Sequence, residues 1–252
     1  MAHPFEVRVD IEVNATPEQA FEAITNGAAV DGWFMGTNEI QPGLGGTIRT
    51  NLPPDFVLES TITQWDPPHR FANTTPEADD GRLMTFAYEI EGRGGGRTAI
   101  RFVHSGFLPG DDWEQEYDAL KTGDPAYIQK LGQYLNYFRG RHATPIAAFG
   151  PQVDREQTWE VFKRAMGLSG SVHEGDKVRF TPDGLPTVDG VVDYISPDFL
   201  GVRTSHGLYR FIHGLGDTVV LGHHIFADVD RQQTEQAWQS WLNGLFPQSS
   251  PA

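Results

Sequence analysis

The chain has 252 residues, no cysteine and a formal net charge of −15. Such an acidic surface repels phosphate backbones and anionic headgroups, which argues against nucleic acid and membrane as partners. Without cysteine there are no disulfides, thiolate metal sites or cysteine nucleophiles. No apolar run approaches the ~20 residues of a membrane span. The opening "MAHPFEVRVD" also lacks the cationic flank and apolar core of a signal peptide, so a soluble, cytoplasmic protein is expected.

In chain order, "FEVRVDIEVNA" alternates apolar and polar residues, with Val7, Val9, Ile11 and Val13 on one face of a half-buried strand. "TPEQAFEAIT" then reads as a helix, with Thr16 as N-cap, Pro17 at the first helical position and an inner stripe of Ala20, Phe21 and Ile24. After the aromatic pair Trp33-Phe34 come strands broken by Pro and Gly: "GGTIRTNL", "FVLESTITQW", "HRFANT", "RLMTFAYEIE" and "RTAIRFVHSGF". Asp124 and Pro125 are read as the cap of a long helix carrying Tyr127, Leu131, Tyr134, Leu135 and Phe138 at helical spacing.

The glycine cluster in "EGRGGGRTA" could cradle a phosphate only if it followed a strand and opened a helix. A strand follows it instead, and no Lys-Ser/Thr pair is present. Gly92, Gly94, Gly95 and Gly96 are therefore expected to supply the positive φ angles of a hairpin turn.

The chain also echoes itself. Glu18, Gln19 and Glu22 recur as Glu156, Gln157 and Glu160, and Phe21 as Trp159, each 138 residues on. Leu135-Asn136 matches Leu242-Asn243 at an offset of 107, so a second copy is about 31 residues shorter between its helices (138 − 107 = 31). A tandem duplication follows, with its boundary in "GRHATP".

The motifs "NATPEQAFEAITNGAAVDGWF", "PGLGGTIRT", "WDPPHRF" and "RGGGRTAIRFVHSGF" carry a family resemblance over residues 5–140. This half resembles the helix-grip, START-like superfamily, often called SRPBCC, and within it the family related to the activator of the heat-shock protein 90 ATPase. The tail half resembles the same superfamily more weakly, through "VDGVVDYISPDFLGVRTSHGLYRF" and "AWQSWLNGLF". The resemblance implies an α+β fold of two tandem helix-grip units, residues 1–141 and a shorter, divergent 142–252. Each would be a curved antiparallel sheet wrapped around a long C-terminal helix, with an apolar cavity in the first. Members of the superfamily bind lipids, polyketides or other apolar molecules, and some are cyclases or dehydratases.

Alternation then selects the residues facing that cavity. Met84, Phe86, Tyr88 and Ile90 share one side of their strand, as do Ile100, Phe102 and His104 on the next, with Arg101 opposite. Trp33, Phe34, Phe86, Tyr88, Phe102, His104, Leu131 and Leu135 are the expected ligand contacts. His104 and Tyr88 are the candidate proton-transfer pair, against the plainer reading of His104 as a hydrogen-bonded strand-end residue. Trp113 and Tyr117, like Trp33 and Phe34, fall in segments read as irregular, and Asp111, Asp112, Glu114 and Glu116 read as a solvated loop. His206, His213, His223 and His224 lack metal-ligand spacing, because adjacent strand residues point to opposite faces, so no metal is expected. The expected function is non-covalent binding of an apolar small molecule without a cofactor. The alternatives are a cyclase- or hydrolase-type enzyme and a co-chaperone-like interaction module; a second copy of the chain or a chaperone is the macromolecular partner considered.

Overall fold

Strand β1 (His3–Val13) realises the opening alternation: Phe5, Val7, Val9, Ile11 and Val13 are buried, and the residues between them are exposed. The computed structural model describes residues 2–247, and its contacts divide the chain into two units between His142 and Ala143. Helix α1 (Pro17–Thr25) begins in a capping box, where Thr16 Oγ1 accepts from the Gln19 amide and the Gln19 side chain accepts from the Thr16 amide. A short helix α2 (Gly27–Val30) follows, and then a meander of β2 (Thr37–Ile40), β3 (Thr47–Leu52), β4 (Phe56–Asp66), β5 (Arg70–Thr74), β6 (Leu83–Gly94) and β7 (Arg97–Leu108). Elements α2 and β2 are too short to leave a periodic signal and were not anticipated.

The first unit's strands form one antiparallel sheet in the order β1-β7-β6-β5-β4-β3-β2. The glycine cluster turns β6 into β7, with φ of 75°, 63° and 76° at Gly94, Gly95 and Gly96. Gly92 does not share that conformation; it stands in the ladder opposite Thr98. Strand β7 then returns alongside β1 over its full length, from His3↔Leu108 to Val13↔Thr98. Helix α3 (Trp113–Tyr137) closes the unit and packs on β1 and β7.

The second unit repeats the plan with one strand fewer. Strand β8 (Thr144–Gln152) leads into α4 (Arg155–Ala165), capped by the Asp154 carboxylate on the Gln157 amide. Strands β9 (Lys177–Phe180), β10 (Val188–Ile195), β11 (Phe199–Arg203), β12 (Gly207–His213) and β13 (Thr218–Ile225) precede α5 (Arg231–Leu245). The sheet order is β8-β13-β12-β11-β10-β9, again with the first strand against the last. The chain is thus an α+β protein of two tandem antiparallel units, each ending in a helix that packs on its first strand. Leu135 and Leu242, paired by the sequence echo, are both fully buried on those helices. A buried ion pair, Arg210 with Asp193, stiffens the second sheet, and Gly201 makes room for it: an added Cβ would lie 2.5 Å from the Asp193 carboxylate.

Helix α3 departs from the sequence expectation. Asp124 and Pro125 do not cap it; they lie in its middle, and Asp112 holds the N-cap position. Trp113 and Tyr117 are accordingly helical, as are Glu114 and Glu116 of the supposed loop. Tertiary contacts outweigh the local stop signal. Trp113 stacks on His3 with ring centroids 4.7 Å apart, the Tyr117 hydroxyl donates to the Glu6 carbonyl at 3.2 Å, and Glu116 pairs with Arg82. The cost remains local, because Pro125 removes one backbone hydrogen bond and Gly123 weakens the same turn. The helix buries residues only from Ala126 onward, so its N-terminal half covers the sheet without sealing it. A Cβ at position 123 meets nothing within 4 Å. Gly123→Ala is therefore expected to stabilise the protein by about 1 kcal/mol in urea denaturation; a loss of stability would mean that this turn is not helical.

Candidate functional site

Register brings four of the expected contacts together: Phe86 stands opposite His104, and Tyr88 opposite Phe102, across β6 and β7. Their inward direction follows from alternation. Phe102 and His104 are buried, whereas Arg101, just before Phe102, faces outward and pairs with Asp10 at 3.0 Å. The His104 ring stacks on Phe86 at 4.3 Å and meets the edge of Phe5 at 5.0 Å. Phe102 lies 6.3 Å from His104 and 5.0 Å from Tyr88. The inner face at this end of the sheet is an aromatic lining around one imidazole.

That imidazole has a carboxylate behind it. His104 Nδ1 lies 2.9 Å from Asp124 Oδ2, with the histidine side chain 3% exposed and the aspartate 14%. A carboxylate accepts, so Nδ1 carries the proton, and in the neutral ring Nε2 is left as a lone-pair acceptor. Nε2 is buried and has no hydrogen-bond partner among the described residues. An unpaired buried polar atom costs about 1–3 kcal/mol, so this atom's polarity is held at a price in stability. Tyr88 is raised well above the usual phenol range, first by burial and then by the nearby charge of Asp124. It therefore remains a neutral phenol, able to donate a proton in a hydrogen bond but not to act as a phenolate base.

The other expected contacts lie elsewhere on the unit. Trp33 is buried, and its Nε1 donates to the Ala23 carbonyl at 2.9 Å, tying the segment after α2 to α1. Phe34 packs 5.5 Å from Trp33 and 5.5 Å from Tyr127 of α3. Leu131 and Leu135 are fully buried in the closed half of α3. Two participants were missed. Phe5 was recoverable, since it extends the alternation of Val7 and Val9 by one step. Asp124 was not, because the Gly-Asp-Pro context reads as a helix start. On the outer face of the same sheet, a groove of about 240 Å³ runs among Asp10, Arg70, Glu89, Glu91, Arg93 and Arg101. Its charges compensate one another.

The second unit also carries a buried histidine on its last strand. His223 stands opposite Ile146 of β8, as His104 stands opposite Val7 of β1. Its surroundings differ. Trp238 of α5 meets the ring at 4.3 Å, with Tyr209 at 5.0 Å, and the Arg210 amide donates to Nδ1 at 3.1 Å. Nδ1 is thus the acceptor in His223, the reverse of His104. Burial pushes the Tyr209 phenol up to about 12, so it too stays protonated. In the first unit, Phe102→Ala removes a ring that is 3% exposed and should cost ~3–5 kcal/mol in equilibrium unfolding. A cost below about 1 kcal/mol would show that the ring does not pack as described.

Comparison with known proteins bears on the family. The di-domain ARO/CYC BexL from the BE-7585A biosynthetic pathway is similar over 98% of this chain and 100% of its own, at 11% identity and a TM-score of 0.48. The Aha1 dimer from Colwellia psychrerythraea is similar over 54% of this chain and 99% of its own, at 20% identity and a TM-score of 0.44. Protein MLL2253 from Mesorhizobium loti is similar over 52% of this chain and 96% of its own, at 22% identity and a TM-score of 0.46. No curated protein matches the chain. No helix among the described residues is long and apolar enough to cross a membrane. Residues 14–136, within the first unit, match the profile described as "Activator of Hsp90 ATPase homolog 1-like protein", so the first unit is similar to that family.

Proposed function

We propose that the first unit binds an apolar small molecule non-covalently, in the cytoplasm and without a cofactor. The ligand lies between the inner face of β6 and β7 and the N-terminal half of α3. One observation carries this reading: the aromatic lining around Phe86 and His104 runs beneath a stretch of helix that buries none of its own residues. Met84 and Phe86 are only half-buried there, so apolar surface remains for a ligand to cover. Gly123 and Pro125 weaken the helix at the same place, which gives the covering segment freedom to move aside. The second unit, with Trp238 filling the space around His223, is a companion that binds no ligand there.

A second reading, proton transfer on the bound molecule, is favoured by Asp124 behind His104, since a carboxylate on Nδ1 orients the ring and leaves Nε2 as the nitrogen that can take a proton. Native mass spectrometry of the intact protein separates the two. Purified from its own cells, the protein should carry an apolar molecule of defined mass that is released on denaturation. Recovery of that molecule unaltered after incubation supports carriage; chemical change that is lost in His104→Ala supports catalysis. A protein that is uniformly free of ligand and takes up no apolar compound from a mixed extract would contradict both.

A further inference from the structure

Among the buried side-chain atoms described in the first unit, His104 Nε2 and Gln133 Oε1 lack hydrogen-bond partners. They do not form one site. Gln133 follows Asp124 by nine residues, about two and a half helical turns, and so lies on the other side of α3. His104 Nε2 stands alone within an aromatic lining.

We infer that the molecule bound by the first unit carries one weakly acidic hydroxyl, a phenol or an enol, whose O–H donates to His104 Nε2. This rests on the binding reading above and adds the chemistry of the ligand's one polar contact. The direction follows from Asp124. With Nδ1–H donated to the carboxylate at 2.9 Å, the free nitrogen presents a lone pair, and the charge behind the ring strengthens it as an acceptor. A carbonyl or ether would place its own lone pair against that of Nε2, and a hydrocarbon would leave Nε2 unpaired. The rest of the lining is indifferent to polarity but matches a flat ring: Phe86 lies 27° from parallel to the imidazole, and Phe5 stands edge-on to it. Asp124 acts here as a positioning residue, fixing which nitrogen bears the proton without itself touching the ligand.

The comparison within the chain supports this assignment. His223 has Nδ1 occupied by the Arg210 amide, so its ring is held in the opposite tautomer, and Trp238 packs against it. The second unit keeps a histidine at the corresponding strand position, with its Nδ1 accepting from a backbone amide.

Three probes of nearly equal size test the inference on the full-length protein: 2-naphthol, which donates and accepts; 2-methoxynaphthalene, which only accepts; and 2-methylnaphthalene, which does neither. Affinities can be read by isothermal calorimetry or by quenching of probe fluorescence. The expected result is that 2-naphthol binds about tenfold or more tightly than the other two, which bind alike. Asp124→Asn should shrink that preference for 2-naphthol, and His104→Leu should abolish the preference. Equal binding of all three overturns the inference and leaves the binding reading standing. Methoxynaphthalene binding as tightly as naphthol would mean that Nε2 donates, and also overturns it. Failure of all three to bind would sink the inference and the binding reading together. The wild-type comparison needs no variant to fold.

Discussion

The pairing of the first strand with the last governs each unit. Without it, the meander would run from β2 to β7 as an open sheet, with the N-terminal strand elsewhere. With it, β1 lies along β7 in an unbroken register of antiparallel partners, and α3 packs across both. Three parts of the chain far apart in sequence are thereby brought to one place: Phe5 from β1, His104 from β7 and Asp124 from α3. The ladder carries much of the cost of this closure, since backbone groups of β1 and β7 satisfy one another along the strands. Side-chain alternation then decides that His104 faces inward and Arg101 outward. The candidate site is a consequence of strand closure more than of any local motif.

Most of that frame was legible in the sequence because it rests on period. Alternation in β1, β6 and β7 gives inward faces directly, and a Thr-Pro-Glu-Gln start gives α1. The hairpin at Gly94 to Gly96 was readable because glycine is tolerated at positive φ where other residues are strained. What failed was local punctuation overridden by packing. Gly-Asp-Pro reads as a helix start, yet Trp113 on His3 and Tyr117 on Glu6 hold a further stretch of helix in front of it. That misreading concealed Asp124, because a capping aspartate points its carboxylate at backbone amides, whereas a mid-helix aspartate is free to reach a neighbouring strand. Tyr88 stands beside Phe102 on the same inner face, and the partner that His104 takes is Asp124.

The two units show how one plan can be spent differently. Each places a buried histidine on its last strand, against an aliphatic residue of its first. In the first, a carboxylate from the closing helix holds Nδ1; in the second, a backbone amide does, and a tryptophan from the closing helix packs against the ring. The second sheet also encloses the Arg210–Asp193 pair, which needs the missing side chain of Gly201. A buried pair of this kind gives weak net stability but penalises any arrangement that separates its members. The first unit keeps the looser arrangement, with a helix interrupted by Gly123 and Pro125 over half-buried aromatic rings.

The central claim is that Asp124 makes His104 Nε2 a buried acceptor. Long-range ¹H–¹⁵N correlation of the imidazole side chains at neutral pH tests it most directly, because the nitrogen shifts distinguish a protonated from an unprotonated ring position. The account predicts His104 protonated at Nδ1 with a bare Nε2, and His223 with the opposite pattern, Nδ1 bare and Nε2 protonated. A His104 ring protonated at Nε2, alone or together with Nδ1, would contradict it.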